Sequence, residues 1–175
     1  LLFKSQDFGI GAVEFDPFIS GALGRTFHEA IDLKSSLKHG LVADASTILW
    51  WLEQQDTARQ ALTKKLREAP SLSTTLGAFA GYLDRVTGSE RKEAILWANG
   101  TDFDLSRLQD AYESIGMDKP WAYNAGRDYR TMRELFGRDE FMPEAGTTHD
   151  ALSDAIWQAK YLQKLFSSLR RYDVV

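Results

Sequence analysis

The order of apolar and polar positions predicts strands near the start of the chain and helices through most of the rest. Residues 10–16 form an apolar run interrupted by Glu14, residues 16–24 are rich in turn formers, and residues 25–33 alternate well enough for a returning strand. From Ser71 onwards, apolar residues recur at helical spacing. Leading strands, interleaved helices and a long closing helix indicate an α/β protein with a mixed sheet.

The middle and end of the chain continue this alternation. Asp56 is expected to cap a helix over residues 57–69, and a short apolar strand is predicted at residues 94–98. Further helices are predicted at residues 48–52, 72–86, 105–115, 131–136 and 150–169. The buried stripe of the closing helix is predicted to comprise Leu152, Ile156, Ala159, Leu162 (or Gln163) and Phe166.

Composition narrows the class of protein. A chain of 175 residues is large enough for one core and small enough for a single domain, so one domain over residues 1–175 is expected. The absence of cysteine excludes a disulfide framework and a thiolate zinc site. Residues 48–52, the longest apolar run, cannot span a bilayer, and no signal peptide is visible, so a cytoplasmic protein is expected. A net charge of −4 argues against a protein that coats nucleic acid, but not against an enzyme with one metal-lined cleft.

Two segments carry the candidate chemistry. The strand at residues 94–98 ends in a turn at Asn99 and delivers Asp104 to the start of a helix, with Phe103 expected to anchor it in the core. The second segment places His149 before the closing helix and Asp154 within it. Two carboxylates that converge beside a histidine are suited to metal-assisted phosphodiester hydrolysis, in which a neutral imidazole takes a proton from water.

Each of these residues also has an ordinary structural explanation. Asp104 could cap a helix, His149 could be a surface residue, and Asp154 could be a solvated helix residue. Thr147 could cap the closing helix with Asp150 as its capping-box partner. The conjunction of the residues is more informative than any one of them.

The motifs resemble those of a known family. Residues 97–108, WANGTDFDLSRL, and 148–162, THDALSDAIWQAKYL, are similar to the second and third motifs of the DnaQ-like, DEDDh group of 3′–5′ exonucleases. Residues 10–17, 44–55 and 127–135 are similar to segments of the short bacterial and phage exonucleases of the exonuclease VIII-like type. The resemblance spans about residues 10–165 and implies a ribonuclease H-like mixed sheet flanked by helices.

The resemblance also implies a reaction. Asp104 and Asp154 would be metal ligands, His149 would be the general base, and two Mg²⁺ or Mn²⁺ ions would drive hydrolysis at the 3′ end of single-stranded DNA or RNA. Asn99, Trp50 and Arg127 are the candidate substrate-binding residues. No membrane partner is expected, and a homo-oligomer is left open.

One departure from the family pattern divides the hypotheses. The first motif of the family is Asp-x-Glu at the end of the first strand, where this chain has Lys4 and Gln6 if residues 1–3 belong to that strand. Either the acids lie in a segment outside this sequence, or they are replaced. In the second case the lysine ammonium would neutralise Asp104 and Asp154, and the chain would bind nucleic acid or a protein partner without cutting. A structural α/β domain with these motifs by chance is the third alternative.

Overall fold

The computed structural model describes residues 2–6, 9–42, 45–136 and 150–170. Within these residues, five strands and seven α-helices follow one another, with a 3₁₀ turn at Arg91–Glu93 and a π turn at Thr101–Leu105. The strands are β1 (Leu2–Gln6), β2 (Gly9–Phe15), β3 (Leu23–Ala30), β4 (Leu96–Ala98) and β5 (Gly126–Asp128). The helices are α1 (Leu33–Lys38), α2 (Ala45–Leu52), α3 (Asp56–Glu68), α4 (Leu72–Thr87), α5 (Ser106–Ser114), α6 (Tyr129–Phe136) and α7 (Ala151–Arg170).

The sheet is mixed, and β1 is its central strand. The strand order is β3-β2-β1-β4-β5. β1, β2 and β3 pair antiparallel, whereas β1, β4 and β5 pair parallel. This is a ribonuclease H-like mixed sheet flanked by helices in a single domain, which confirms the predicted fold class.

Two apolar clusters cover the two faces of the sheet, because successive strand residues point to opposite sides. In β4, Leu96 and Ala98 belong to one cluster, whereas Trp97 between them belongs to the other. The first cluster packs the sheet against α4 and α5. The second packs it against α6 and α7. Residues 96–98 therefore form a strand that is buried on both faces and leads directly into the turn that carries Asp104.

α7 approaches the sheet very closely at Gly11 in β2. A β-carbon at Gly11 would stand 2.2 Å from the carbonyl carbon of Ala151 and 2.3 Å from the backbone nitrogen of Leu152. No side chain can occupy that space without displacement of the helix. Gly11 therefore sets the position of the first turn of α7, which carries Asp154.

This close approach explains why the predicted stripe of α7 is partly wrong. Ala159 and Leu162 are buried as predicted, but Leu152, Ile156 and Phe166 are half-buried. Small residues face the strands instead, since they let the helix backbone come near the sheet. The buried positions of α7 are Ala151, Ala155, Gln158, Ala159, Tyr161, Leu162, Gln163 and Leu165.

The structure also tests the sequence predictions for the starts of α4 and α3. The helix predicted from Ser71 onwards is α4, and Ser71 caps it, because its hydroxyl accepts a hydrogen bond from the Thr74 backbone nitrogen. The prediction that Asp56 caps α3 is wrong: Gln55 holds that position and Asp56 is the first helical residue. There Asp56 pairs with Arg59 one turn later. An acidic residue in the first turn still favours the helix through its dipole.

Candidate active site

Asp104 lies in the π turn Thr101–Leu105, between β4 and α5. Gly100 precedes the turn with a φ of 124°, a conformation that favours glycine, and its carbonyl accepts a hydrogen bond of 2.9 Å from the Asp104 backbone nitrogen. The Asp104 side chain is 2% exposed. Asp104 is therefore a buried carboxylate inside the turn and does not cap α5, whose N-cap position is held by Leu105. The prediction that Phe103 is a core anchor is wrong, since Phe103 is 43% exposed.

The turn is tied down by Asp128, at the end of β5. One carboxylate oxygen of Asp128 accepts a hydrogen bond of 2.9 Å from the Thr101 backbone nitrogen. The other accepts bonds from the backbone nitrogen and the hydroxyl of Thr131, at 2.8 and 3.0 Å. Burial acts to raise the pKa of Asp128, but these hydrogen bonds and the charge of Arg130 outweigh it and hold the pKa below its usual value.

Sequence reasoning did not identify Asp128 as a positioning residue. The Asp-x-x-Thr spacing at the start of α6 is a capping signature that could have flagged its bond to Thr131. Its bond to Thr101 has no local signal, because that contact depends on the pairing of β4 with β5.

Asp154 lies in the first turn of α7 and is half-buried. It is on the same side of the helix as the buried residues Ala151 and Gln158, which are three and four positions away. Asp150 is separate from it: Asp150 precedes the helix, and its carboxylate accepts bonds of 2.9 Å from the backbone nitrogen and the hydroxyl of Ser153. Asp150 is thus the cap of α7 itself, and Thr147 lies outside the described residues.

Asp150 also contacts His28 in β3, a histidine to which the sequence assigned no role. The distance from His28 Nε2 to the Asp150 carboxylate is 3.0 Å, and Lys65 Nζ lies 3.5 Å from the same ring nitrogen. Burial acts to raise the pKa of Asp150, but the bonds from Ser153 and the charges of His28 and Lys65 hold it below its usual value.

Replacement of Asp150 by alanine is expected to reduce the free energy of unfolding by about 1 kcal/mol at about pH 7, because α7 loses its cap. A lowered pKa in the folded state means that the stabilisation is present above the unfolded pKa of about 3.9 and is lost as the pH falls through the folded pKa. Urea unfolding at about pH 7 and about pH 3.5 measures the loss of stability and its dependence on pH. Asp150→Asn, which keeps a capping oxygen, should lose less unfolding free energy than Asp150→Ala. If the difference in unfolding free energy between wild type and Asp150→Ala is no smaller in acid, the capping role of the Asp150 carboxylate is contradicted.

The turn that carries Asp104 and the helix that carries Asp154 both contact β1. In β1, Phe3 pairs with Ala98 at the end of β4, and Lys4 pairs with Gly11, the residue against which α7 packs. The segments with the two candidate acids therefore flank the end of one central strand. Lys4 is the middle residue of that strand and Gln6 is its last, although their side chains lie outside the described part of the structure.

The available side chains decide whether a metal ion could be held at this place. Carboxylate oxygens suit Mg²⁺ and Mn²⁺, and Asp104 and Asp154 are the two carboxylates to which the resemblance assigns this role. Among the described residues, no group of three or more acidic, histidine or cysteine side chains is arranged to hold a metal ion. Residues 4–6 read Lys-Ser-Gln and add no carboxylate from β1. The described side chains therefore do not form the carboxylate-rich site that the pair of ions implied by the resemblance would need.

The remaining predicted site residues are placed as follows. His149 lies outside the described residues. Asn99 is half-buried directly after β4, and Trp50 is in α2 with its side chain outside the description. Arg127, in β5, donates hydrogen bonds of 2.8 Å from Nη1 to the carbonyls of Asn124 and Gly126. Its guanidinium is thus engaged with the backbone of its own segment.

Comparison with known proteins gives the family. The model of the 3′–5′ exoribonuclease Rv2179c-like domain matches residues 5–166, nearly the whole chain and both candidate segments. The chain belongs to this family. No curated protein matches it.

Membership in the Rv2179c-like family supports the nuclease prediction at the level of a 3′–5′ exonuclease domain that acts on nucleic acid. The narrower resemblance to the DEDDh group and to exonuclease VIII stays a prediction. None of the described helices has the length and apolar character needed to cross a membrane.

Proposed function

We propose that this domain binds the 3′ end of single-stranded RNA and hydrolyses its terminal phosphodiester bonds, with Asp104 and Asp154 as the acidic groups and His149 as the general base. The observation that carries the proposal is that the two segments with the candidate acids lie around one strand. The turn of Asp104 contacts β1, and α7 contacts β1 as well and packs its first turn against Gly11, the β2 partner of Lys4. The exoribonuclease family model covers both segments, from residue 5 to residue 166.

Each side chain has a distinct role in the proposal. Asp104 is fixed by its turn and by burial, so its carboxylate keeps one direction at low entropic cost during the reaction. Asp154 is presented by a helix that Gly11 and the Asp150 cap hold in place. A neutral His149 imidazole would take the proton from the attacking water. Asp104 and Asp154 would hold a divalent ion, and the chemistry supplied there would be Lewis-acid activation of the phosphodiester and of that water.

A second candidate function is favoured by β1. Lys4 and Gln6 are the residues that would replace the first-motif acids of the resembling exonucleases, and they belong to the central strand of the sheet. If Lys4 replaces the first acid, its ammonium group would supply the positive charge that a metal ion otherwise provides. The domain would then hold an RNA 3′ end without hydrolysis.

A labelled RNA assay separates the two functions. A 5′-labelled single strand incubated with Mn²⁺ should shorten progressively from its 3′ end. Asp104→Asn and Asp154→Asn should each slow the shortening by on the order of 100-fold, because each removes one electrostatic group from the site. Asp110→Asn, an equal change on the exposed side of α5, is the matched control and should leave the rate unchanged.

RNA that binds but is not shortened would select the second candidate. RNA that neither binds nor shortens would remove both. Full activity in Asp154→Asn would overturn the assignment of the site while leaving the enzyme class intact.

A further inference from the structure

A histidine on β3 holds the residue that caps α7. His28 lies opposite Gly11 in the antiparallel pair of β2 and β3, so its side chain is on the face of the sheet against which α7 packs. The ring reaches Asp150 from there, and the distance from Nε2 to Oδ1 is 3.0 Å. The other oxygen of that carboxylate, Oδ2, accepts the two bonds from Ser153 that cap the helix. Both oxygens of Asp150 are therefore engaged, and the side chain cannot turn without losing a bond.

The neighbouring Lys65 shows which atom donates. The pKa of the Asp150 carboxyl is below its usual value, so the group is an ionised acceptor at neutral pH. His28 Nε2 must therefore carry a hydrogen, as it does in one neutral form of imidazole and in the charged form. Lys65 Nζ, 3.5 Å from the same nitrogen, cannot donate to it and contributes only positive charge. The bond from His28 to Asp150 is thus present whether the ring is neutral or charged.

This contact contributes more to orientation than to stability. The side chains of His28 and Asp150 are 32% and 29% exposed, and partly solvated ion pairs stabilise a fold only slightly. The contact does link the first turn of α7 to β3. The Asp154 backbone nitrogen donates a bond of 2.9 Å to the Asp150 carbonyl, and His149 is the residue before Asp150. A shift of Asp150 would therefore move both neighbours of the proposed reaction.

We propose that His28 is a positioning residue for the hydrolysis. Through Asp150 it fixes the start of α7, and with it the acid Asp154 and the point at which the proposed base, His149, joins the helix. His28 does not touch the RNA in this account. The inference rests on the proposed exonuclease function and adds to it a residue that acts through another side chain.

Steady-state hydrolysis of a 5′-labelled single-stranded RNA with Mn²⁺ tests the proposal. His28→Val removes the donor and suits a strand, whereas His28→Gln keeps a donor, because its Nε2 can take the place of the imidazole Nε2. His28→Val should lower kcat by about tenfold and leave KM within about twofold, since a small displacement of reacting groups is enough for such a loss. His28→Gln should restore most of kcat. His39→Val, the same change at the exposed histidine that ends α1, is the matched control and should match wild type.

A double-mutant cycle shows whether His28 acts through Asp150. In the Asp150→Ala background, His28→Val should cause no further loss of kcat, because the partner of the ring is already absent. Rates are compared per folded molecule, with thermal melts of every variant. If His28→Val does not fold, His28→Asn replaces it, because the asparagine amide is too short to reach Asp150.

The outcomes separate the positioning role from the proposed function. If wild type hydrolyses RNA and His28→Val keeps its kcat, the role of His28 is wrong and the exonuclease proposal stands. A raised KM at unchanged kcat, or a full tenfold loss in the Asp150→Ala background, would show that His28 does not act through Asp150. If wild type hydrolyses no RNA, the proposed function is wrong, and this inference with it.

Discussion

A variant with Lys4→Asp and Gln6→Glu together is expected to hydrolyse single-stranded RNA at least about 100-fold faster than wild type in the presence of Mn²⁺. The two changes convert residues 4–6 from Lys-Ser-Gln to Asp-Ser-Glu, which is the first-motif pattern of the resembling exonucleases. They add two carboxylates and remove one cation at the end of the strand that both Asp104 and Asp154 segments contact. The site would then have the oxygen donors that a pair of divalent ions requires.

The control for this gain is Lys92→Asp, which makes the same charge reversal at an exposed residue of the 3₁₀ turn. It should leave hydrolysis at the wild-type rate. Addition of EDTA should abolish the gain of the double variant, and Asp154→Asn introduced into it should do the same. Equal rates for wild type and the double variant would show that the end of β1 is not part of the site.

Replacement of Gly11 by alanine should have the largest effect on stability, about 3 kcal/mol of the free energy of unfolding. The new methyl group would overlap backbone atoms of Ala151 and Leu152, and backbone cannot move aside as the end of a flexible side chain can. The first turn of α7 must then shift. Since Asp154 lies in that turn, the folded fraction should also lose RNA hydrolysis, because a displacement of about 1 Å can cost about 100-fold.

Gly77→Ala is the matched control for this substitution. Gly77 is exposed within α4, and a β-carbon there would meet no atom within 4 Å. Alanine at such a helical site should stabilise the protein by about 0.5–1 kcal/mol. Urea unfolding of the two variants measures the contrast. A Gly11→Ala protein as stable as wild type would show that α7 is not held at the distance from β2 described above.

The parts of the fold that follow from local patterns could be predicted from the sequence. β2, α4 and α7 have apolar periodicity over many residues, and Ser71 marks its helix start by a side-chain cap that depends on nearby residues. Asp104 and Asp154 could be identified as candidates because each follows a recognisable strand or helix boundary.

The features that were missed depend on contacts between distant segments. β5 has three residues, Gly-Arg-Asp, and becomes a strand through its pairing with β4. The partner of His28 is Asp150, which comes from the far end of the chain. Phe103 appears apolar enough for a core, but the π turn rotates it outward and Asp104 inward. No periodicity in the sequence indicates a turn of that kind.

The central claim is that Asp104 and Asp154 share one centre beside the end of β1, and a Mn²⁺ titration followed by electron paramagnetic resonance tests it most directly. Wild type should bind no more than one ion there, and the Lys4→Asp, Gln6→Glu variant should bind two. Either Asp104→Asn or Asp154→Asn, placed in that variant, should remove at least one of them. Two ions bound by wild type, or ions that neither aspartate substitution affects, would contradict the claim.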